Sequence, residues 1–264
     1  DLQNPAPDAA SMEDVAQGPL FYRIAVHMLQ RPTYRLWTDL LNSYNSNVNA
    51  PESYSEQKLE QIDSFLDAIL ATECMRVAYH YITDVLGFEF TLPEFKEKLF
   101  TMWFKLHPLH FPIIVPGQTL QRPKKGRKDI ELPEVDVEFC AGFEHVFLGE
   151  TEIHEGDTVG VILGYHYWLK FFLDEIVGRV NYLGSRYHRN SHAKLGAPFV
   201  ELKFRWDKGD QTFLKKRGSF FVGPSPEYIV AAASVAFFET STPELAEKYG
   251  WVPKRSNYVT ERNV

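Results

Sequence analysis

Hydrophobic residues in the first part of the chain recur three and four positions apart, which is the spacing of one face of a helix. The clearest run is Leu59, Ile62, Phe65, Leu66, Ile69 and Leu70. Two Ser/Thr-x-x-Glu sequences, Ser53–Glu56 and Thr91–Glu94, match the capping box that starts a helix. Residues 11–107 are therefore predicted to form four or five helical segments, among them Leu20–Leu29 and Tyr34–Tyr44.

The hydrophobic pattern changes to a period of two in the second part of the chain. Val200, Leu202, Phe204 and Trp206 alternate with Glu201, Lys203 and Arg205. This is typical of a half-buried strand with one charged side facing solvent. A turn at 207–210 leads to a predicted return strand at 211–222. Two helices are predicted in this part, one from Gly164 to Val177 and one that Ser225 caps.

Helices followed by strands indicate an α+β fold. We predict a helical N-terminal lobe over residues 11–133. A β-rich lobe of antiparallel sheets with packed helices follows over residues 134–264. Segment 111–134 contains four prolines and is the predicted linker between the two lobes.

Composition narrows the class of protein. The 264 residues are 44% hydrophobic and 24% charged, as in a globular protein. The most apolar stretch, Gly160–Leu173, is interrupted by His166 and Lys170 and is shorter than the roughly 20 residues of a membrane span. Two cysteines and the lack of an apolar N-terminal region mildly favour a reducing, intracellular compartment. We expect no membrane partner.

Charge is unevenly distributed along the chain. The net charge is −7, but segment 185–217 holds nine basic and three acidic residues, a local balance of +6. A second basic run is RPKKGRK at 122–128. Such runs are often solvated turns, and the alternative is a surface that binds a polyanion. If these residues form a surface that binds RNA as the polyanion, RNA affinity should fall steeply with salt.

The stretch GFEHVFLGE at 142–150 places charge in an otherwise apolar segment. Taken as a strand, it would put Phe143, His145 and Phe147 on one face and Glu144 on the other. Glu150 would share the face of Glu144, away from the histidine. His145 is then either a core histidine or a catalytic one, and the segment by itself leaves both open.

Two further residues extend the catalytic alternative. His166, in GYHYW, stands at the predicted start of a helix, where the helix dipole disfavours the charged ring. Lys215 lies four residues before Ser219. Two histidines and a lysine are the groups that RNA cleavage without a metal needs: a base for the 2′-OH, an acid for the 5′-oxygen and a cation for the phosphate.

Two rival interpretations remain at this stage. The first is an RNA-binding protein without catalytic activity. Such a protein would need the basic segment 185–217, here called the basic strip, and not a histidine pair. The second is a metal-dependent hydrolase that uses His188 and His192, spaced H-x3-H, together with His154. Arg189 between those histidines argues against a cation there.

Several motifs together resemble the EndoU family, the poly(U)-specific endoribonucleases that include the coronaviral uridylate-specific enzyme. They are PTYRLWTDLLNSY, FLDAILATECM, FKEKLFTMWFKLH, GFEHVFLGE, GYHYWLKFFLDE, GRVNYLG and SFFVGPSPEY. The resemblance covers most of the chain and implies a single EndoU-type domain, with the β-rich lobe as the catalytic one. It implies cleavage of single-stranded RNA, with a uridine preference, by a protein that we expect to be a monomer.

The resemblance also implies roles for individual residues. His166 would be the general base, His145 the general acid and Lys215 the third catalytic residue, with Lys216 as its neighbouring alternative. Cleavage would leave a 2′,3′-cyclic phosphate and a 5′-hydroxyl. Glu144 and Glu150 match carboxylates that the family needs, and they would brace the site or hold a cation.

Substrate and cation contacts follow from the same resemblance. Ser219 matches a position associated with uracil contact, and Tyr258 is the candidate for the tyrosine that packs near the base. A divalent cation, Mn²⁺ or Ca²⁺, is implied without known ligands. The sequence departs from the family in the 21-residue spacing of the histidines, in Tyr167 where asparagine is common, and in its C-terminus. The extra residues, TEIHEGDTVG, predict a loop over the site.

Overall fold

The computed structural model describes residues 13–48, 53–108, 113–115, 118–120, 139–153, 155–185 and 199–241. The boundary at 133/134, most of the linker and the basic run 122–128 lie outside these residues. The division into two lobes therefore stays a prediction.

The helices of the first part form where the hydrophobic spacing predicts them. They are α1 (Pro32–Leu41), α2 (Glu56–Leu70), α3 (Glu73–His80) and α4 (Leu92–Trp103), and a π-helical turn, Tyr81–Val85, extends α3. Thr91 and Glu94 make the predicted capping box of α4. The predicted box of α2 is wrong by two residues, because Ser55 and not Ser53 accepts the backbone N–H of Lys58.

The segment before α1 differs from its prediction. Only Val26–Gln30 is helical, as a short 3₁₀ helix. The preceding residues are held by a partner far along the chain: the Glu175 carboxylate accepts the backbone N–H groups of Leu20 and Phe21 at 2.7 and 3.0 Å. The helix predicted from Leu20 is therefore wrong for 20–25, and these residues are anchored to Glu175 as an irregular segment.

The second part of the chain forms the strands. Short strands β1 (His107–Pro108) and β4 (Phe139–Cys140) pair with each other, as do β2 (Ile113–Val115) and β3 (Gln118–Leu120). The main sheet has the order β5-β6-β9-β8-β7. Its strands are β5 (Glu150–Glu152), β6 (Gly160–Leu163), β7 (Val180–Ser185), β8 (Phe199–Lys208) and β9 (Gln211–Phe221).

The sheet confirms the α+β class and the long hairpin β8–β9, with one difference. β6 and β9 run parallel, so the sheet is mixed and not wholly antiparallel. A register shift between Leu202 and Phe204 also interrupts the hairpin. The alternation predicted for β8 breaks at that shift, and Lys203 is buried there instead of facing solvent.

Helices α5 (Trp168–Ile176) and α6 (Pro226–Ser241) complete the fold. Aromatic rings join both parts of the chain into one core: Trp37 of α1 packs edge-to-face on Phe147 and Tyr167, with ring centroids 6.1 and 5.0 Å apart. α6 lies against α1 and α3. No described helix has the length and apolar character of a membrane span.

Candidate active site

His145 lies on a π-helical turn, Glu144–Leu148, and not on a strand. The turn begins where the backbone N–H of His145 donates to Ala141 O, and Gly149, with φ of 81°, ends it. Phe143 and Phe147 pack inside the core with ring centroids 4.9 Å apart and planes tilted by 41°, as i and i+4 residues of a turn can. The strand prediction for GFEHVFLGE is therefore wrong for 142–148, and His145 points away from those two rings.

The segment that carries His166 docks on this turn through its backbone. The N–H of Tyr165 donates to His145 O and that of His166 to Val146 O, both at 2.8 Å. His166 thus precedes α5 by two residues, because the helix begins at Trp168 and not at Gly164. The two hydrogen bonds fix the histidine-bearing segments relative to each other.

Close approach explains the glycine before this segment. Gly164 has φ of 59°, and a Cβ added to it would lie 2.0 Å from His145 O. Tyr165 follows with φ of 65°, the one non-glycine residue with positive φ among those described. That conformation costs roughly 1–3 kcal/mol, so the surrounding contacts must hold it in place.

His145 faces a carboxylate. Its Nδ1 lies 2.9 Å from Oε2 of Glu150, which is 1% exposed, while the His145 side chain is 43% exposed. The predicted separation of His145 from Glu150 on opposite strand faces is wrong, because the turn brings the start of β5 back towards the ring. The carboxylate accepts a hydrogen bond from Nδ1–H and leaves Nε2 of the ring as the nitrogen without this partner.

His166 has the opposite surroundings. Its Nδ1–H donates to the carbonyl oxygen of Ser219 at 3.1 Å. Burial lowers its pKa, and the nearby positive charges of Lys215 and His145 lower it further, against the opposing effect of that hydrogen bond. The predicted direction is right, but the main cause is desolvation and not a helix dipole. The neutral ring keeps Nε2 as a proton acceptor.

Lys215 completes the group from β9. Its Nζ donates to Gly164 O at 2.7 Å and to Ile162 O at 3.2 Å. Burial lowers the pKa of Lys215 to about 8. Lys216 is exposed, so the structure places Lys215 and not its neighbour beside the histidines. The rings of His145 and His166 are 5.7 Å apart between centroids.

The remaining predicted residues have different positions. Glu144 is buried at the start of the π-helical turn. Ser219 contacts the site through its carbonyl oxygen, which orients His166, a role that the sequence does not reveal. Tyr258, His154, His188 and His192 lie outside the described residues.

The described part of the basic strip is not one continuous charged surface. Lys203 and Lys215 are buried, and Arg205 and Arg217 form ion pairs with Asp207 and Glu201. Lys208 donates to Ser46. The strip's first members, Arg186, Arg189 and Lys194, lie outside the described residues. A local balance of +6 therefore overstates the charge that the described part presents to an anion.

The described residues do not contain a set of ligands for a divalent cation. Nowhere in that part of the chain do three His, Cys, Asp or Glu side chains converge on one point. Glu150 is already bonded to His145. Whether Glu144 and Glu150 brace the site or hold a cation therefore stays a prediction, as does the Mn²⁺ or Ca²⁺ that the resemblance implies.

The extra residues between the histidines lengthen a hairpin. Glu150 pairs with Leu163 and Glu152 with Val161, so the connection lies at the far end of β5 and β6 from His145 and Gly164. The predicted loop over the site is therefore wrong for the described residues. Tyr167, the second of the three departures from the family, donates its O–H to Pro224 O at 3.1 Å.

Two histidines and a lysine thus meet beside β6, in a mixed sheet packed on helices. Residues 1–110 and 134–258 match the family model for the endoribonuclease XendoU, and the chain belongs to that family. The predicted membership of the EndoU endoribonucleases is thus confirmed.

Individual relatives agree with the family. The chain is 28% identical to uridylate-specific endoribonuclease B of Danio rerio, covering 89% of this chain and 74% of that protein. It is 30% identical to the poly(U)-specific endoribonuclease of Xenopus tropicalis, covering 85% and 66%. It spans only 44% of the human uridylate-specific endoribonuclease, to which it is 30% identical over 83% of its own length.

A solved structure has the same fold. The structure of XendoU, described as a splicing-independent snoRNA processing endoribonuclease, superposes with a TM-score of 0.62. The match covers 92% of this chain and 76% of the other, at 26% sequence identity. The α+β fold class is confirmed by this likeness.

Proposed function

We propose that this chain cleaves single-stranded RNA after uridylates and leaves a 2′,3′-cyclic phosphate and a 5′-hydroxyl. Membership of the XendoU family and the names of its relatives support the substrate class. The finer chemistry is supported by the two histidines, whose surroundings differ in the way that an acid–base pair requires.

The proton transfers follow from which ring nitrogen is already bonded. Nδ1 of each histidine faces a protein acceptor, so Nε2 of each is the atom left for substrate. Neutral His166 takes the proton of the 2′-OH as that oxygen attacks phosphorus. His145 gives its Nε2 proton to the departing 5′-oxygen, and the P–O5′ bond breaks. Both protons are accounted for, and no water is consumed in this step.

Lys215 is proposed to balance charge on the phosphate. Two of its three N–H bonds go to the carbonyls of Ile162 and Gly164. The third can reach a non-bridging phosphate oxygen as negative charge develops there. Removing one such donor typically costs about 10²–10³ in kcat.

The observation that carries the proposal is the contrast between Glu150 beside His145 and a neutral carbonyl beside His166. It is tested with a short RNA that contains each nucleotide once, by identifying the product ends by mass. A cyclic phosphate on uridine is expected. His145→Ala should abolish cleavage and leave RNA affinity within a few-fold. Unchanged cleavage in that variant contradicts the proposal, and binding without any cleavage in the unmodified chain supports an RNA-binding protein instead.

His80→Ala is the matched control. Its Nδ1 also faces a carboxylate, that of Asp84 at 3.2 Å, but the pair is exposed on α3. Loss of a histidine–carboxylate contact alone should leave cleavage unchanged.

The cation that the family resemblance implies is proposed to act on RNA binding and not in the proton transfers. The same assay in Mn²⁺, Ca²⁺ or excess EDTA tests this. An effect of EDTA on KM with kcat retained agrees with it. A kcat that only one metal restores contradicts it.

A further inference from the structure

One buried side-chain network lies directly behind the segment that carries His166. The Tyr165 ring is fully buried, and its O–H donates to Oδ2 of Asp174 at 2.6 Å. Asp174 is buried on α5 and pairs with Lys170, one turn earlier on the same helix. Arg179 reaches the other carboxylate oxygen, Oδ1, at 3.5 Å.

This network acts on a residue in a strained conformation. Tyr165 has φ of 65°, and the contacts on both sides of it belong to the candidate active site. Its own N–H binds His145 O, the next N–H binds Val146 O, and the preceding carbonyl accepts Lys215 Nζ. All three candidate catalytic residues therefore depend on the backbone of 164–166.

The surroundings of the Tyr165 ring are shaped to accept it. A Cβ on Gly149 would lie 2.7 Å from Cδ2 of Tyr165, so the last glycine of GFEHVFLGE leaves the space that the ring occupies. The Lys170 ammonium lies 5.1 Å from the centroid of the same ring. The ring is thus fixed by packing at its side and by a charge-assisted hydrogen bond at its tip.

We infer that Asp174 is a positioning residue for His166 and acts through the hydroxyl of Tyr165. Asp174 holds the left-handed backbone at Tyr165, and that backbone sets the His166 ring against Ser219 O and opposite His145. This inference rests on the proposed ribonuclease function for its kinetic test, and it has a second readout that needs no activity.

Tyr165→Phe and Tyr167→Phe form a matched pair. Each removes one buried hydroxyl that donates a hydrogen bond, from the residue before His166 or the residue after it. We expect the larger decrease in Tm for Tyr165→Phe, because its hydroxyl binds a carboxylate, whereas Pro224 O keeps the N–H of Trp168 when the Tyr167 hydroxyl is removed. Tyr165→Phe alone should lower kcat about tenfold or more with KM within twofold, because small displacements of a reacting group cost large factors in rate.

Nuclear magnetic resonance gives the readout that needs no activity. The Nδ1 proton of His166 is protected by its bond to Ser219 O, and its signal should be lost or broadened in Tyr165→Phe and kept in Tyr167→Phe. A Tyr165→Phe protein that retains both kcat within twofold and this signal overturns the inference, as do equal losses in the two variants. If the unmodified chain has no ribonuclease activity, the proposed function is refuted. The Nδ1 proton signal of His166 then remains as the test of this inference.

Two double variants test Asp174 while avoiding an unpaired buried lysine. Lys170→Met with Asp174→Asn keeps an acceptor for the Tyr165 hydroxyl, and Lys170→Met with Asp174→Leu removes it. We expect the first to retain kcat within about threefold of the unmodified chain and the second to lose at least tenfold more. Equal activity in both excludes a positioning role for the acceptor.

Discussion

The turn that carries His145 and the segment that carries His166 place the same residue type in different surroundings. His145 is half exposed, on a π-helical turn, with a buried carboxylate behind it. His166 is more deeply buried, beside a carbonyl oxygen and a lysine ammonium. One ring has a carboxylate at Nδ1, and burial lowers the pKa of the other. The comparison teaches that two histidines of one site can differ through their surroundings alone, which is the basis of the acid and base roles proposed for them.

The largest expected effect is the loss of activity when either histidine is replaced, and a change of leaving group distinguishes the two losses. Alanine at either position should lower kcat on RNA about 10²–10⁴-fold, because each proton transfer contributes that much. With a uridine 3′-(p-nitrophenyl phosphate) substrate, the leaving group needs no proton. His145→Ala should then recover most of its activity and His166→Ala should not. Steady-state release of p-nitrophenolate measures this, and recovery in the His166 variant instead would reverse the assigned roles.

Neither environment could be predicted in full from the sequence. The amphipathic helices and the hairpin β8–β9 follow from hydrophobic spacing, because a long periodic run has one consistent interpretation. GFEHVFLGE is too short for that: Phe143 and Phe147 fit both the same strand face and an i,i+4 pair. The glycine at 149 is the one local signal for a turn, since a helical turn commonly ends at such a residue.

Local sequence patterns also do not predict the contacts that distinguish the two histidines. Glu150 reaches His145 only because the chain between them is a turn. Ser219 O reaches His166 across 53 residues, through the packing of β9 against the end of β6. The three catalytic candidates follow from residue type and from motif resemblance, whereas the difference in their surroundings could come only from the structure.

The pH profile gives a second test of the contrast, through Lys215. His166 must be neutral to accept a proton, and its pKa is lowered from 6.5, so activity rises with pH through a value below that of an ordinary histidine. Lys215 must be charged, and its pKa is about 8, so activity falls as pH rises through that value. The leaving group of the p-nitrophenyl substrate needs no proton from His145. With that substrate, the fall in activity at high pH therefore reports on Lys215 and not on His145.

Substitution of Lys215 tests whether this lysine causes the fall in activity at high pH, the alkaline limb of the profile. Lys215→Ala should lower kcat about 10²-fold. Lys215→Arg should keep part of the activity and move the limb well above pH 8, because arginine stays charged. An alkaline limb that is the same in the arginine variant would assign it to a group other than Lys215.

A smaller effect is expected from the carboxylate behind His145. Glu150→Gln keeps a hydrogen-bond acceptor but removes the charge, which should lower kcat on RNA about tenfold, or about 1.4 kcal/mol of transition-state stabilisation. The loss should shrink with the p-nitrophenyl substrate, as for His145→Ala. Glu152→Gln, at the other end of β5, is the control and should be neutral. A loss of the same size on both substrates would mean that Glu150 acts on the fold and not on His145.

The smallest effect concerns the exposed charge around the site, where the comparison is between Lys215 and Lys216. Lys216 is solvent-exposed and adjacent to a buried catalytic candidate, and we expect it to contact the RNA backbone beyond the scissile phosphate. Lys216→Ala should weaken RNA affinity about equally for all sequences and reduce the slope of log affinity against log salt by about one, with kcat unchanged. Fluorescence anisotropy between about 50 and 200 mM salt measures the slope. An unchanged slope would place the RNA path away from this end of β9, and a fall in kcat would mean that Lys216 shares the work assigned here to Lys215.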